Sequence, residues 1–169
     1  MKKYFFVIFV CFFLLATSGA AFADSVPMTL SATKTAGLEV VASRKLLFGE
    51  VVVGQTITVP ETSPNAGEVA VKTSPGAPFT AWFSASSGGL PTSQLSLSDG
   101  ILQPIHHIVA TNIGITANGQ TAIGVELDTS CDSTGRCSLI ITGEITAGDD
   151  TVNPPGDYSA EGYVNVILG

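Results

Sequence analysis

Residues 25–37 read SVPMTLSATKTAG, with Val26, Met28, Leu30 and Ala32 alternating with Pro27, Thr29 and Ser31. A two-residue period is the pattern of a β-strand with one buried face. Chain ends fray unless something ties them down. The fold therefore turns on what this segment pairs with.

The residues upstream sharpen that question. Lys2 and Lys3 precede an apolar run from Tyr4 to Leu15, followed by small residues that end in Ala21-Phe22-Ala23. This layout predicts a secretory signal peptide over residues 1–23, cleaved after Ala23. The run is about 12 residues, too short to cross a ~30 Å bilayer as a helix, so no integral membrane segment is expected in the mature chain. Cys11 sits inside the run with Phe12 and Phe13 after it, which does not fit lipid attachment. Cleavage places 25–37 at the mature N-terminus, and 24–37 reads as an extension ahead of one domain over 38–169.

The chain has 169 residues, 14 acidic and 7 basic, for a formal net charge of −7. Without Lys2 and Lys3, five basic residues remain against fourteen acidic ones, a net charge of −9. Lys34, Arg44, Lys45, Lys72 and Arg136 are too few to track a nucleic-acid backbone, so no nucleic-acid partner is expected. Cys131 and Cys137, in CDSTGRC, are then the only cysteines left. In an exported chain they should form a disulfide, and zinc would need more ligands.

Outside the leader, apolar residues almost nowhere recur at helical spacing. Phe79, Ala81, Phe83 and Ala85 alternate with Thr80, Trp82 and Ser84; Ile123, Val125 and Leu127 alternate with Gly124, Glu126 and Asp128; Cys137, Leu139 and Ile141 alternate with Ser138, Ile140 and Thr142. Each reads as a strand with one wet face. Between them lie turn-forming pieces such as SSGGLP (86–91), ANG (117–119) and AGDDTVNPPGD (147–157), of which Asn118-Gly119 supplies the positive-φ pair of a tight hairpin. The ending GDYSAEGYVNVILG predicts a last strand with Tyr158, Ala160, Val164, Val166 and Leu168 on one face. The fold class is all-β, an antiparallel sandwich, with a barrel as the alternative.

No catalytic, cofactor-binding or metal site stands out. His106 and His107 are adjacent, so on a strand they point to opposite faces and do not chelate one metal easily. Asp128, Asp132, Asp149 and Asp150 match no calcium-loop spacing, and no serine sits in a G-x-S-x-G elbow. An enzyme is not expected. Trp82 lies on the face of its strand opposite Phe79, Ala81 and Phe83: either it packs under a loop or a neighbouring strand, or it is a contact residue of an interface or ligand site.

Several segments together resemble a family. Leu47-Phe48-Gly49 followed by Val51 and Gly54, the ending PPGDYSAEGYVNVILG, and the opening PMTLSATKTAGLEVV are similar to bacterial fimbrial subunits, the pilin-like secreted β-sandwiches, including an exported single-domain group of unassigned role. The resemblance covers both ends of the mature chain. It implies an immunoglobulin-like sandwich one strand short, whose groove is filled by the N-terminal extension of the next subunit through β-strand addition. Val26, Met28, Leu30 and Ala32 would be the donor residues within 25–33. The strand carrying Tyr158, Val164, Val166 and Leu168 would be the acceptor edge. Burying the three larger donor side chains would contribute on the order of 1.5–3 kcal/mol each before ordering costs. The implied partners are a head-to-tail copy of the chain, a periplasmic chaperone and an outer-membrane usher, with passage through the periplasm to a surface filament or the extracellular space. The same strand can instead return in cis, Gly37 making the turn, to give a monomeric, self-complemented adhesin or glycan- or protein-binding module.

Overall fold

The structure is a computed structural model that describes residues 37–100, 106–149 and 153–169, together with the backbone of 25–32. The expected signal peptide, Lys34 and Asp150 lie outside the described residues. No described residue is helical, and the described residues form twelve strands. They are β1 (Ser25–Ala32), β2 (Glu39–Arg44), β3 (Leu46–Glu50), β4 (Thr56–Val59), β5 (Gly67–Lys72), β6 (Pro78–Ser84), β7 (Leu95–Ser98), β8 (His107–Ala117), β9 (Gln120–Ile123), β10 (Leu127–Ser130), β11 (Arg136–Thr146) and β12 (Ala160–Leu168). The all-β expectation holds.

Two sheets form. Sheet A runs β10-β6-β12-β1-β3; sheet B runs β2-β5-β11-β8-β7, with β4 continuing alongside β11 and β9 alongside β8. All pairings among the described strands are antiparallel except β1 with β12. Alternation explains the core between the sheets. Phe79, Ala81 and Phe83 of β6 and Val164 and Val166 of β12 face Val69 and Val71 of β5, Ile113 and Ile115 of β8, and Leu139, Ile141 and Ile145 of β11, all buried. Burial of this kind, at roughly 25 cal/mol per Å² of apolar surface, is the main favourable term.

Turn chemistry sets the register. Asn118 and Gly119 both have positive φ (51° and 75°), and β8 pairs with β9 from Ala117↔Gln120 onward, which is the tight hairpin that the Asn-Gly pair predicts. Cys131 and Cys137 are disulfide-bonded and close the β10–β11 connection. Constraining so short a loop in the unfolded chain contributes about 2 kcal/mol.

One expected strand is broken. The alternation from Ile123 to Asp128 is not continuous: β9 ends at Ile123 in sheet B and β10 begins at Leu127 in sheet A. Gly124 turns the chain there at φ +66°, against Ser93, and Val125 is left exposed. A period of two persists through such a crossover because each half keeps its own inward face.

Gly162, in β12, is required by packing. A Cβ there would lie 2.5 Å from Cε2 of the Phe83 ring, which is buried and has no room to withdraw. Gly162→Ala should destabilise the protein by about 1–3 kcal/mol, as overpacking does. A denaturant melt that leaves the midpoint unchanged would show that Phe83 yields freely.

Candidate functional site

The feature that distinguishes this sandwich is the slot that β1 fills. β1 is an interior strand with a neighbour on each side. On one side it runs parallel to β12, with Met28↔Ala160, Thr29↔Glu161, Leu30↔Gly162, Ser31↔Tyr163 and Ala32↔Val164 in register. On the other it runs antiparallel to β3, with Ser25↔Glu50, Pro27↔Leu47 and Met28↔Leu46, and a register shift between Ser25 and Pro27. The even positions 28, 30 and 32 thus fall level with Ala160, Gly162 and Val164, and position 28 also with the buried Leu46. Val26 falls at the register shift.

The walls of the slot come from β12, which is paired on its other side as well, and from β3, the edge strand of sheet A. β12 is bound on its far side by β6 from Tyr163↔Ser84 to Leu168↔Phe79. β3 supplies Leu46 and Phe48, both buried. The corner before β12 is fixed by Tyr158, buried at 2% exposure, whose hydroxyl donates to the Pro154 carbonyl at 2.9 Å. That bond ties the corner to the chain just upstream. Of the residues expected on the acceptor edge, Val164 is level with Ala32. Tyr158 sits in the corner rather than in the strand, and Val166 and Leu168 pair with Ala81 and Phe79 of β6. Within this chain β1 occupies the slot of its own sheet.

Trp82, considered as a contact residue, is not free to be one. It is 9% exposed, and its indole N–H donates to the Gly89 carbonyl at 2.7 Å. The loop of Ser86 to Pro91 lies over it. Asn165, paired with Trp82 across β6 and β12, donates to Ser84 Oγ at 2.8 Å and accepts from the Gly88 N–H at 2.9 Å, while Ser84 donates to the Ser86 carbonyl. This buried polar network is complete. Sequence reasoning passed over Asn165; its signal was a polar residue between Val164 and Val166 facing a strand that carries a lone tryptophan.

Among the described residues the histidines and acidic side chains do not gather into one metal-binding cluster. His106 Nδ1 lies 2.7 Å from Asp99 Oδ2, while His107 is exposed. Asp128 accepts from Thr80 in sheet A, and Asp132 accepts from the Thr134 N–H, the Thr134 hydroxyl and the Arg136 N–H within its own turn. On the outer face of sheet B a second polar groove forms where Asn112, at φ 50°, makes a bulge in β8 and donates to Glu144 at 2.8 Å. Nothing in the sequence marks that bulge beyond an asparagine inside an otherwise regular strand.

Two ionisable groups are shifted. The Arg136 N–H, followed by the hydroxyl and N–H of Thr134, holds the Asp132 carboxyl below its ordinary value. The bond from Tyr163 to Glu161, and the charge of that carboxylate, hold the Tyr163 hydroxyl above its own.

No protein-family model matches the sequence, and no curated protein matches it.

A depressed Asp132 contributes stability that is present above the unfolded carboxylate pKa and lost as pH falls through the lower folded value. Asp132→Asn should therefore be less stable than the parent at neutral pH. The gap should close as pH falls below about 4, the ordinary carboxylate range. Melting curves across that range test it; a gap independent of pH would assign the loss to shape alone. Reduction of the disulfide, or Cys131→Ser with Cys137→Ser, should cost about 2 kcal/mol in the same melts.

Proposed function

We propose that this chain is an exported structural subunit that polymerises into a surface filament by strand exchange, β1 of one copy entering the slot of the next. The observation that supports this reading is the position of β1: the first described strand, lying inside a sheet between β12 and β3. When β1 leaves, β3 and β12 face each other with unpaired backbone edges and an open apolar core between them. Any segment that matches the register of β1 satisfies both edges at once, and the best match is β1 of another copy. Because donor and acceptor are different parts of the surface, the contact repeats without closing.

The immunoglobulin-like character, the leader, and the implied chaperone and usher belong to the same reading. An unfilled slot is an aggregation site, so it needs a holder between export and assembly. The competing reading is a secreted, self-complemented monomer acting as a binding module. It is favoured by the pairing of β1 within its own chain.

A labelled peptide of residues 24–36 discriminates between them. Full-length mature protein incubated with it should take up label slowly and stably, and form filaments visible by electron microscopy. Protein lacking residues 24–33 should gain melting temperature with peptide concentration, as ligand linkage requires. Full-length protein that stays monomeric and takes up no label, even with a co-encoded chaperone present, leaves the self-complemented reading in place.

A further inference from the structure

The polar groove on the outer face of sheet B is made by two departures from regular strand. Asn112 and Ile113 of β8 together face Gly143 of β11, because the register passes from Gly114↔Thr142 to Thr111↔Glu144. This bulge keeps Ile113 in the core and sets Asn112 on the outer face at φ 50°, where its amide donates to Glu144 Oε2 at 2.8 Å. Asparagine is among the few side chains that accept a positive φ. Two residues on, a Cβ at Gly114 would lie 3.0 Å from Ile123 Cγ1 and 3.4 Å from Thr142 Oγ1, two side chains that line the groove. A side chain is thus missing between Thr142 of β11 and Ile123 of β9, the residues paired with Gly114 on either side.

The groove has a volume of about 450 Å³, within the range of small-ligand sites. Its walls carry four threonine hydroxyls, the Asn112 amide and the carboxylates of Glu61 and Glu144, with Pro60 and the half-exposed Ile123 as apolar surface. Among the described residues that line it there is no lysine, arginine or histidine. Glu144 is held in place, one oxygen accepting from Asn112 and the other, more loosely, from Thr58 at 3.4 Å. About half of a carboxylate's four acceptor sites stay open. The side chains of Thr142 and Glu61 have no hydrogen-bond or ion-pair partner among the described residues.

These groups discriminate between ligands. An anion would meet two carboxylates and no cation. A wholly apolar ligand would strip water from hydroxyls and carboxylates without pairing them. An organic ammonium would use the carboxylates and leave the threonines unpaired. A metal ion lacks ligands, since among the described residues no three His, Cys, Asp or Glu side chains gather. A neutral polyol meets every group: its hydroxyls donate and accept as the threonines and Asn112 do, they donate to Glu61 and Glu144, and its C–H faces rest on Pro60 and Ile123. We propose that this groove binds a neutral saccharide. The groove is in sheet B and the β1 slot in sheet A, so the site does not rest on the strand-exchange reading.

The full-length mature protein, applied to an array of neutral, sialylated and sulfated oligosaccharides, tests the proposal; calorimetric titration with the free form of the best neutral binder then gives an affinity. Neutral glycans should bind, and binding should survive about 1 M salt, where the Debye length is ~3 Å, and an excess of spermidine. Thr142→Tyr, which lays a ring over Gly114, and Asn112→Gly, which keeps the positive φ and removes the amide, should each weaken binding at least about tenfold. Far-UV circular dichroism should stay unchanged in both. Leu90→Asp, over the other sheet, should bind as the parent does. Protein that binds no glycan, binds anionic glycans alone, releases glycan to spermidine, or binds equally well as Thr142→Tyr overturns the proposal. Peptide uptake into the slot is read separately, so glycan binding without strand exchange, and strand exchange without glycan binding, are distinct results.

Discussion

The backbone of β1 is the constraint on which sheet A depends. An interior strand satisfies two rows of N–H and C=O groups, one on each neighbour, and buried backbone groups left unpaired cost free energy comparable to a lost hydrogen bond. Here one row belongs to β12 and the other to β3. The parallel pairing with β12 is possible because β1 and β12 are far apart in sequence; no hairpin connects them. β1 is therefore the closing piece of the sheet. The core side of the slot is shaped to match: Gly162 lies level with Leu30 and has lost its side chain to the Phe83 ring.

Much of this was legible in the sequence where a single local rule decides the outcome. Period two at Phe79 to Phe83 and Leu139 to Ile141 specified strands and their buried faces, because a one-residue slip would expose every apolar residue. Asn118-Gly119 specified a hairpin because few other pairs accept two positive φ values. Cys131 and Cys137 specified a disulfide by count. What the sequence did not carry is long-range: that Gly124 moves the chain between sheets, that β1 pairs parallel with the last strand, and that Asn165 of that last strand holds the loop over Trp82. Each depends on which distant segment arrives alongside, and periodicity within one strand is silent about its neighbours.

Polar residues are used to fix surface pieces, in the same way at two places. Asn165 and Ser84 hold the Ser86 to Pro91 loop over sheet A, and Asp132 holds the disulfide turn with three donors from its own loop. Both devices satisfy buried or turn polar groups internally, and the clamped loop over sheet A holds Leu90 out in solvent. Rigid placement matters because a floppy exposed leucine would lose on ordering much of what contact returns.

Strand exchange, as proposed, would trade one filled slot for another, so its equilibrium gain would be small and its rate would be limited by withdrawing β1 from two ladders at once. The acidic net charge of the chain works against indiscriminate association between copies, so a contact that forms must be specified by register: two backbone edges, on β12 and β3, that only an extended segment of matching pattern satisfies together.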